Sequence, residues 1–162
     1  MSSAAKIDDV ILLHGGGLSS DVAERIGSKL PPSVRARKLS MSRTKEFKAA
    51  LLDDDDVRSG PALAIFIVQT IKNESPPEDA GPGGGGVRLF AVLGLGDSNL
   101  LLDRRHTSAK DCNQVARALD SRLEGLGGTR FCDRGECDER TGLLECEPWI
   151  EMLVEKIECR MR

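Results

Sequence analysis

The chain has 162 residues, 40% of them hydrophobic and 30% charged, with a net charge of −3; this fits one globular domain, 1–162, and excludes a disordered chain. So mild a charge gives no strong electrostatic drive toward nucleic acid, and no apolar run approaches the roughly 20 residues of a membrane span. Met1 to Lys6 contain no signal core, so a cytoplasmic location is expected.

Val10-Ile11-Leu12-Leu13, within 7–13, is a continuous apolar run between charge and glycine, as expected of a central parallel strand. It stops at His14-Gly15-Gly16-Gly17. Ser19 or Ser20 can cap the helix that follows, where Val22, Ile26 and Leu30 recur on one face before Pro31-Pro32 ends it. From Val34 to Met41, basic residues interleave with Val34, Ala36 and Leu39, which suits an exposed edge strand. Ser42 to Leu52 reads as a second helix. Asp53 to Asp56 lack the glycine and spaced ligands of a calcium loop and read as solvated charge.

Pro61 to Gln69, with Ile65-Phe66-Ile67-Val68, is the next buried strand. The connection from Thr70 to Gly86 is too rich in glycine and proline for a regular helix, so the third crossover helix is expected to be missing and 75–86 to be flexible. That would leave the sheet face beside Ile65 to Val68 and Leu89 to Val92 for a partner protein or a second copy to cover. Val87 to Leu93 forms the fourth strand and runs into Gly94-Leu95-Gly96-Asp97-Ser98-Asn99. In an open α/β sheet, ligands sit just beyond the carboxyl ends of the strands, where glycine lets backbone amides come close.

Ser108 can cap a helix whose face carries Cys112, Val115, Ala116, Leu119, Leu123 and Leu126, ended by Gly127-Gly128. Thr129 to Asp133 is a short fifth strand. Pro148 suits the first turn of a last helix with Trp149, Met152, Leu153 and Ile157 inward. Five strands alternating with helices give a three-layer α/β fold on a parallel sheet.

The five cysteines form neither a disulfide framework nor a repeated metal-binding pair; Cys132, Cys137 and Cys146 match no common zinc module, so reduced thiols and no metal are expected. His14 and His106 read as loop surface, with no serine or carboxylate placed for a triad. Aromatic residues are scarce: four phenylalanines, one tryptophan and no tyrosine. A planar cofactor therefore finds few rings to stack on.

Gly94-Leu95-Gly96-Asp97-Ser98-Asn99, the stretch from Leu119 to Gly127, Phe131 to Glu139, Thr141-Gly142-Leu143 and Glu147-Pro148-Trp149-Ile150 resemble, in order and spacing, the FMN domain of the diflavin reductase family. The resemblance covers most of the chain and is specific in roughly the last seventy residues. It implies a flavodoxin-like sheet of order 2-1-3-4-5, an FMN cofactor and redox partner proteins. In the first FMN loop it places Gly15, Gly16, Gly17, Leu18, Ser19 and Ser20, where free amides and the helix dipole favour the phosphate. The second loop takes Thr70, Ile71, Lys72 and Asn73, without the family's glycines. The third takes Gly94, Leu95, Gly96, Asp97, Ser98, Asn99 and Leu100, the last standing in place of a stacking tyrosine and followed by a loop longer than the family's. Asp138 and Glu139 match an acidic pair near the ring.

The resemblance thus implies an FMN-binding electron-transfer protein without a nicotinamide domain, working with a separate reductase as donor and an acceptor. Its alternative is a flavodoxin-fold protein that has lost the flavin and serves as an interaction or scaffold module.

Overall fold

A computed structural model describes residues 6–15, 17–43, 62–69, 89–96, 113–138 and 144–161. In chain order these form β1 (Asp9–His14), α1 (Leu18–Lys29), β2 (Arg35–Ser40), β3 (Leu63–Gln69), β4 (Leu89–Gly96), α2 (Gln114–Gly125), β5 (Thr129–Arg130), β6 (Gly135–Asp138) and α3 (Cys146–Met161). The sheet runs β2-β1-β3-β4-β5, with β6 also paired to β4, and every pairing is parallel. This is the expected three-layer α/β arrangement with order 2-1-3-4-5. Of the expected helix at 42–52 only Ser42 and Arg43 are described, and they are not helical; the connection 70–86, the loop 100–107 and the cap at Ser108 lie outside the described residues, as do Asp53 to Asp56, His106 and Cys112.

The apolar runs of β1, β3 and β4 are buried on both faces, which is why they read as continuous rather than alternating. Within each strand, the period of two divides the residues between the layers. Val10, Leu12, Ile65, Ile67, Ala91 and Leu93 pack with Val22, Ala23 and Ile26 of α1 and with Ile150, Leu153 and Ile157 of α3. Ile11, Leu13, Phe66, Val68, Phe90 and Val92 share the opposite cluster with Ala116, Leu119 and Leu123 of α2. Each large side chain among them contributes about 1.5–3 kcal/mol of burial. Glu147 joins α1 to α3 by accepting from both Arg25 and Lys29.

Several expectations need correction. The face beside Ile65 to Val68 and Phe90 to Val92 is already buried within the single chain, so no partner is needed to cover it. No serine caps α1; Gly17 stands at its N-cap and the helix begins at Leu18. His14 is the last residue of β1, only 8% exposed, and not loop surface. Leu126 lies 46% exposed, because α2 ends one residue before it. There Gly127, at φ +92°, turns the chain, its amide bonding to Glu124 and that of Gly128 to Leu123. These two bonds close the left-handed helix stop that glycine makes cheap.

The expected single fifth strand is two short strands with a break between them. Arg130 pairs with Phe90 and Gly135 with Leu93, so four residues, 131–134, face only Ala91 and Val92. The extra residues form a bulge. Its carbonyls turn to α3: Lys156 Nζ donates to the Phe131 oxygen at 3.2 Å and Trp149 Nε1 to the Asp133 oxygen at 2.9 Å. Asp120 of α2, 2% exposed, receives both Arg130, at 2.9 Å to each carboxylate oxygen, and Arg134 at 2.8 Å.

Candidate functional site

The carboxyl ends of β1, β3, β4 and β6 lie side by side at one edge of the sheet. From β1 to β6 this edge crosses three inter-strand spacings, roughly 14 Å. At its β1 end, Gly15 and Gly17 are exposed, Leu18 and Ser20 half-buried and Ser19 buried. Gly17 has φ +54° and ψ −134°, a conformation that side chains with a Cβ rarely adopt. That turn lets α1 start abruptly. No side chain caps the helix, so its first turn presents the positive end of the dipole to the edge.

Ser19 has a structural duty as well: its Oγ accepts the Gly15 amide at 3.1 Å and fastens the loop to the helix. Gln69, at the end of β3, brings its Oε1 to 3.9 Å from where a Cβ on Gly17 would stand. Behind the loop sits His14, whose pKa is lowered by burial and, secondarily, by the charge of Lys38. Lys38 in turn binds Glu24 at 2.6 Å. Asp21 adds a carboxylate in the first turn of α1, a charge that opposes an anion there.

Nearer β6, Gly94, Leu95 and Gly96 are buried strand residues rather than a loop. They pair with β3 through Val68 and Gln69 and with β6 through Glu136, Cys137 and Asp138. Gly94 is required by packing: a Cβ there would meet Ala116 Cβ and Asn113 Oδ1, each at 2.6 Å. Its role is to let α2 approach the strand. Asp138 ends β6 opposite Gly96, and its amide donates to Glu145 Oε2 at 2.9 Å.

The edge thus brings together Gly15, Gly17, Leu18, Ser19 and Ser20 at one end and Gly96 and Asp138 at the other. Gly16, Thr70, Ile71, Lys72, Asn73, Asp97, Ser98, Asn99, Leu100 and Glu139 lie outside the described residues. Sequence reasoning misses Gln69, Glu145 and Asn113. Asn113 is buried, stands at the N-cap of α2 and donates to the Cys137 carbonyl at 3.3 Å. Its signal is present in the sequence, because asparagine is a preferred residue at a helix start; Gln69 and Glu145 carry none.

The described residues fit a phosphate at α1 better than a flat ring at β4. Phe66, Phe90, Phe131 and Trp149 are all core residues, so none of the described aromatic side chains faces the edge. Among the described residues, no three of His, Cys, Asp and Glu gather to hold a metal ion, and no helix is long and apolar enough to cross a membrane.

No family model matches the chain. It is 41% identical over 63 residues to the methionine synthase reductase of Caenorhabditis elegans, covering 38% of this chain and 8% of that protein. The methionine synthase reductase of Bos taurus is 31% identical over 114 residues, 62% of this chain and 15% of its own length. NADPH-dependent diflavin oxidoreductase 1 of Dictyostelium discoideum is 37% identical over 71 residues, 42% and 10% of the two chains. The chain therefore matches only 8 to 15% of the length of these relatives. Among solved structures, a cysteine-to-serine mutant of flavodoxin from Pseudomonas aeruginosa superposes with a TM-score of 0.56 at 16% identity, over 93% of this chain and 99% of that one. The fold is flavodoxin-like.

Proposed function

We propose, from the chain's likeness to the flavodoxin-like FMN domain of the diflavin reductase family, that it is an electron-transfer module of the cytoplasm. In this role it holds FMN and works between a separate reductase and an acceptor protein. The observation that carries this reading is the start of α1, where Gly17 opens the first turn to an anion at the carboxyl edge of a flavodoxin-like sheet. Backbone amides around Leu18 would hold the phosphate. Ser19 and Gly15 keep that loop in shape, and Ser20 stands half-buried beside them.

When bound, FMN would supply both one- and two-electron transfer at a single centre. The protein's own part is to bind, orient and limit solvent. Gly94 seats α2 against β4, the strand that precedes Asp97 to Leu100 in the sequence, the segment that the family resemblance brings to the ring. Affinity then rests on phosphate and backbone contacts, since Leu100 covers a ring by dispersion without the aromatic gain of about 1 kcal/mol.

One observation favours the second reading, a flavin-free interaction module: the described aromatic side chains are all committed to the core, and the chain has no tyrosine. Reconstitution separates the two. Protein incubated with FMN and desalted should retain flavin absorbance between about 370 and 460 nm and lose it reversibly on reduction with dithionite. A flavin-free module retains no such absorbance, and a fluorescence titration with FMN up to millimolar concentration then shows no saturation.

A further inference from the structure

Cys137 lies on β6 and Cys146 opens α3. Both are buried in the same apolar cluster, and their thiols are hydrogen-bonded to each other. Cys137 donates, which holds its own thiol well above the ordinary value and draws Cys146 below it. Cys146 is also the first residue of a 16-residue helix, where the field of the N-terminus favours a thiolate. Next to each cysteine, the Asp138 amide donates to the Glu145 carboxylate, which ties the end of β6 to the residue before α3. The other described cysteines differ. Cys132 is buried, its thiol pushed up to about 11 by burial, and Cys159 is exposed.

We propose that Cys137 and Cys146 are a redox pair that a hydroperoxide converts to an intramolecular disulfide joining β6 to α3. Cys146, as thiolate, attacks the O–O bond; that bond breaks, an alcohol or water leaves, and the sulfur becomes a sulfenic acid. The Cys137 sulfur then attacks the Cys146 sulfur, the S–O bond breaks and water leaves as the S–S bond forms. Two thiols give up two electrons and two protons, and the peroxide is reduced to water and the alcohol, or to two waters. Because the sulfurs are already in hydrogen-bonding contact, closure asks for side-chain rotation more than backbone movement. Because both are buried, the reaction waits on local opening and is slow compared with oxidation of an exposed thiol. The product closes a covalent loop over residues 138–145.

Peptide mapping of the full chain tests this. Trypsin cuts after Arg134, Arg140 and Lys156, which puts Cys137 on peptide 135–140 and Cys146 on peptide 141–156. Reduced protein treated with hydrogen peroxide, alkylated under denaturing conditions and digested should give these two peptides joined, two hydrogens lighter than their sum, and dithiothreitol should separate them. In Cys137→Ser the reaction should stop at Cys146 as a sulfenic acid trapped by dimedone. Recovery of both peptides separately alkylated, after peroxide exposure prolonged well beyond that which fully oxidises the exposed Cys159, overturns the proposal. So does predominant cross-linking of either cysteine to Cys132. The wild-type map does not depend on how any variant folds.

Discussion

Gly17 shows how a single residue carries both the local fold and the proposed site. Its φ of +54° costs a residue with a Cβ about 1–3 kcal/mol. Gly17→Ala should therefore lower stability by that amount in urea denaturation and weaken any FMN binding, whereas Gly15→Ala, whose Cβ would meet nothing closer than 3.9 Å, should leave stability nearly unchanged. The string Gly15-Gly16-Gly17 announces a tight turn, but sequence cannot say which glycine the turn needs, because any of them satisfies the pattern. His14 is illegible for a similar reason: a polar residue at the end of an apolar run looks like loop until the strand is seen to include it. Burial lowers its pKa below 6.5. The folded protein then binds fewer protons than the unfolded chain as pH falls through about 6.5, so stability rises with pH across that window and declines on acidification until the lower folded pKa is passed. His14→Gln should flatten this part of the stability profile measured between pH 5 and about 7.5. An unchanged slope would assign it to other groups.

At the level of elements, β4 and its neighbours carry most of what sequence can and cannot show. The apolar run of β4 is legible, as are the inward residues Ala116, Leu119 and Leu123 of α2, because a buried strand and an amphipathic helix leave strong periodic patterns. The end of β4 is not: Gly94 and Gly96 read as loop, yet Gly94 is glycine so that α2 can pack closely. Gly94→Ala would put a Cβ 2.6 Å from that of Ala116, and the resulting overpacking should cost about 3 kcal/mol, read as a lower denaturation midpoint. The bulge between β5 and β6 is also hidden, because side chains on α2 and α3, separate elements that flank it, hold it. Asp120 is the centre of that arrangement. Asp120→Asn should destabilise by about 1–3 kcal/mol, less than for a fully buried pair because Arg130 and Arg134 keep 31% and 26% of their side chains exposed. A loss below about 0.5 kcal/mol in chemical denaturation, within the range of an ordinary surface substitution, would mean that the bulge is held by Trp149 and Lys156 alone.

Across the whole molecule, the layering follows from the alternation of apolar runs and helical faces, whereas the strand order is legible only through the family resemblance; the flavodoxin neighbour has the same fold. The expected uncovered face does not follow, because the side chains on it, Phe66, Val68, Phe90 and Val92, are buried within the single chain. The proposed contacts with FMN divide by end: the phosphate at the start of α1, and the ring at the β4 end, where no described aromatic side chain stands. In the proposed function the α1 end binds the phosphate and supplies most of the affinity. Parallel fluorescence titrations with FMN and riboflavin, which differ only in that phosphate, test it most directly. FMN should bind saturably and riboflavin at least roughly tenfold more weakly, a difference of about 1.4 kcal/mol or more; equal affinities for the two, or no FMN binding at millimolar concentration, would rule out a phosphate site at α1.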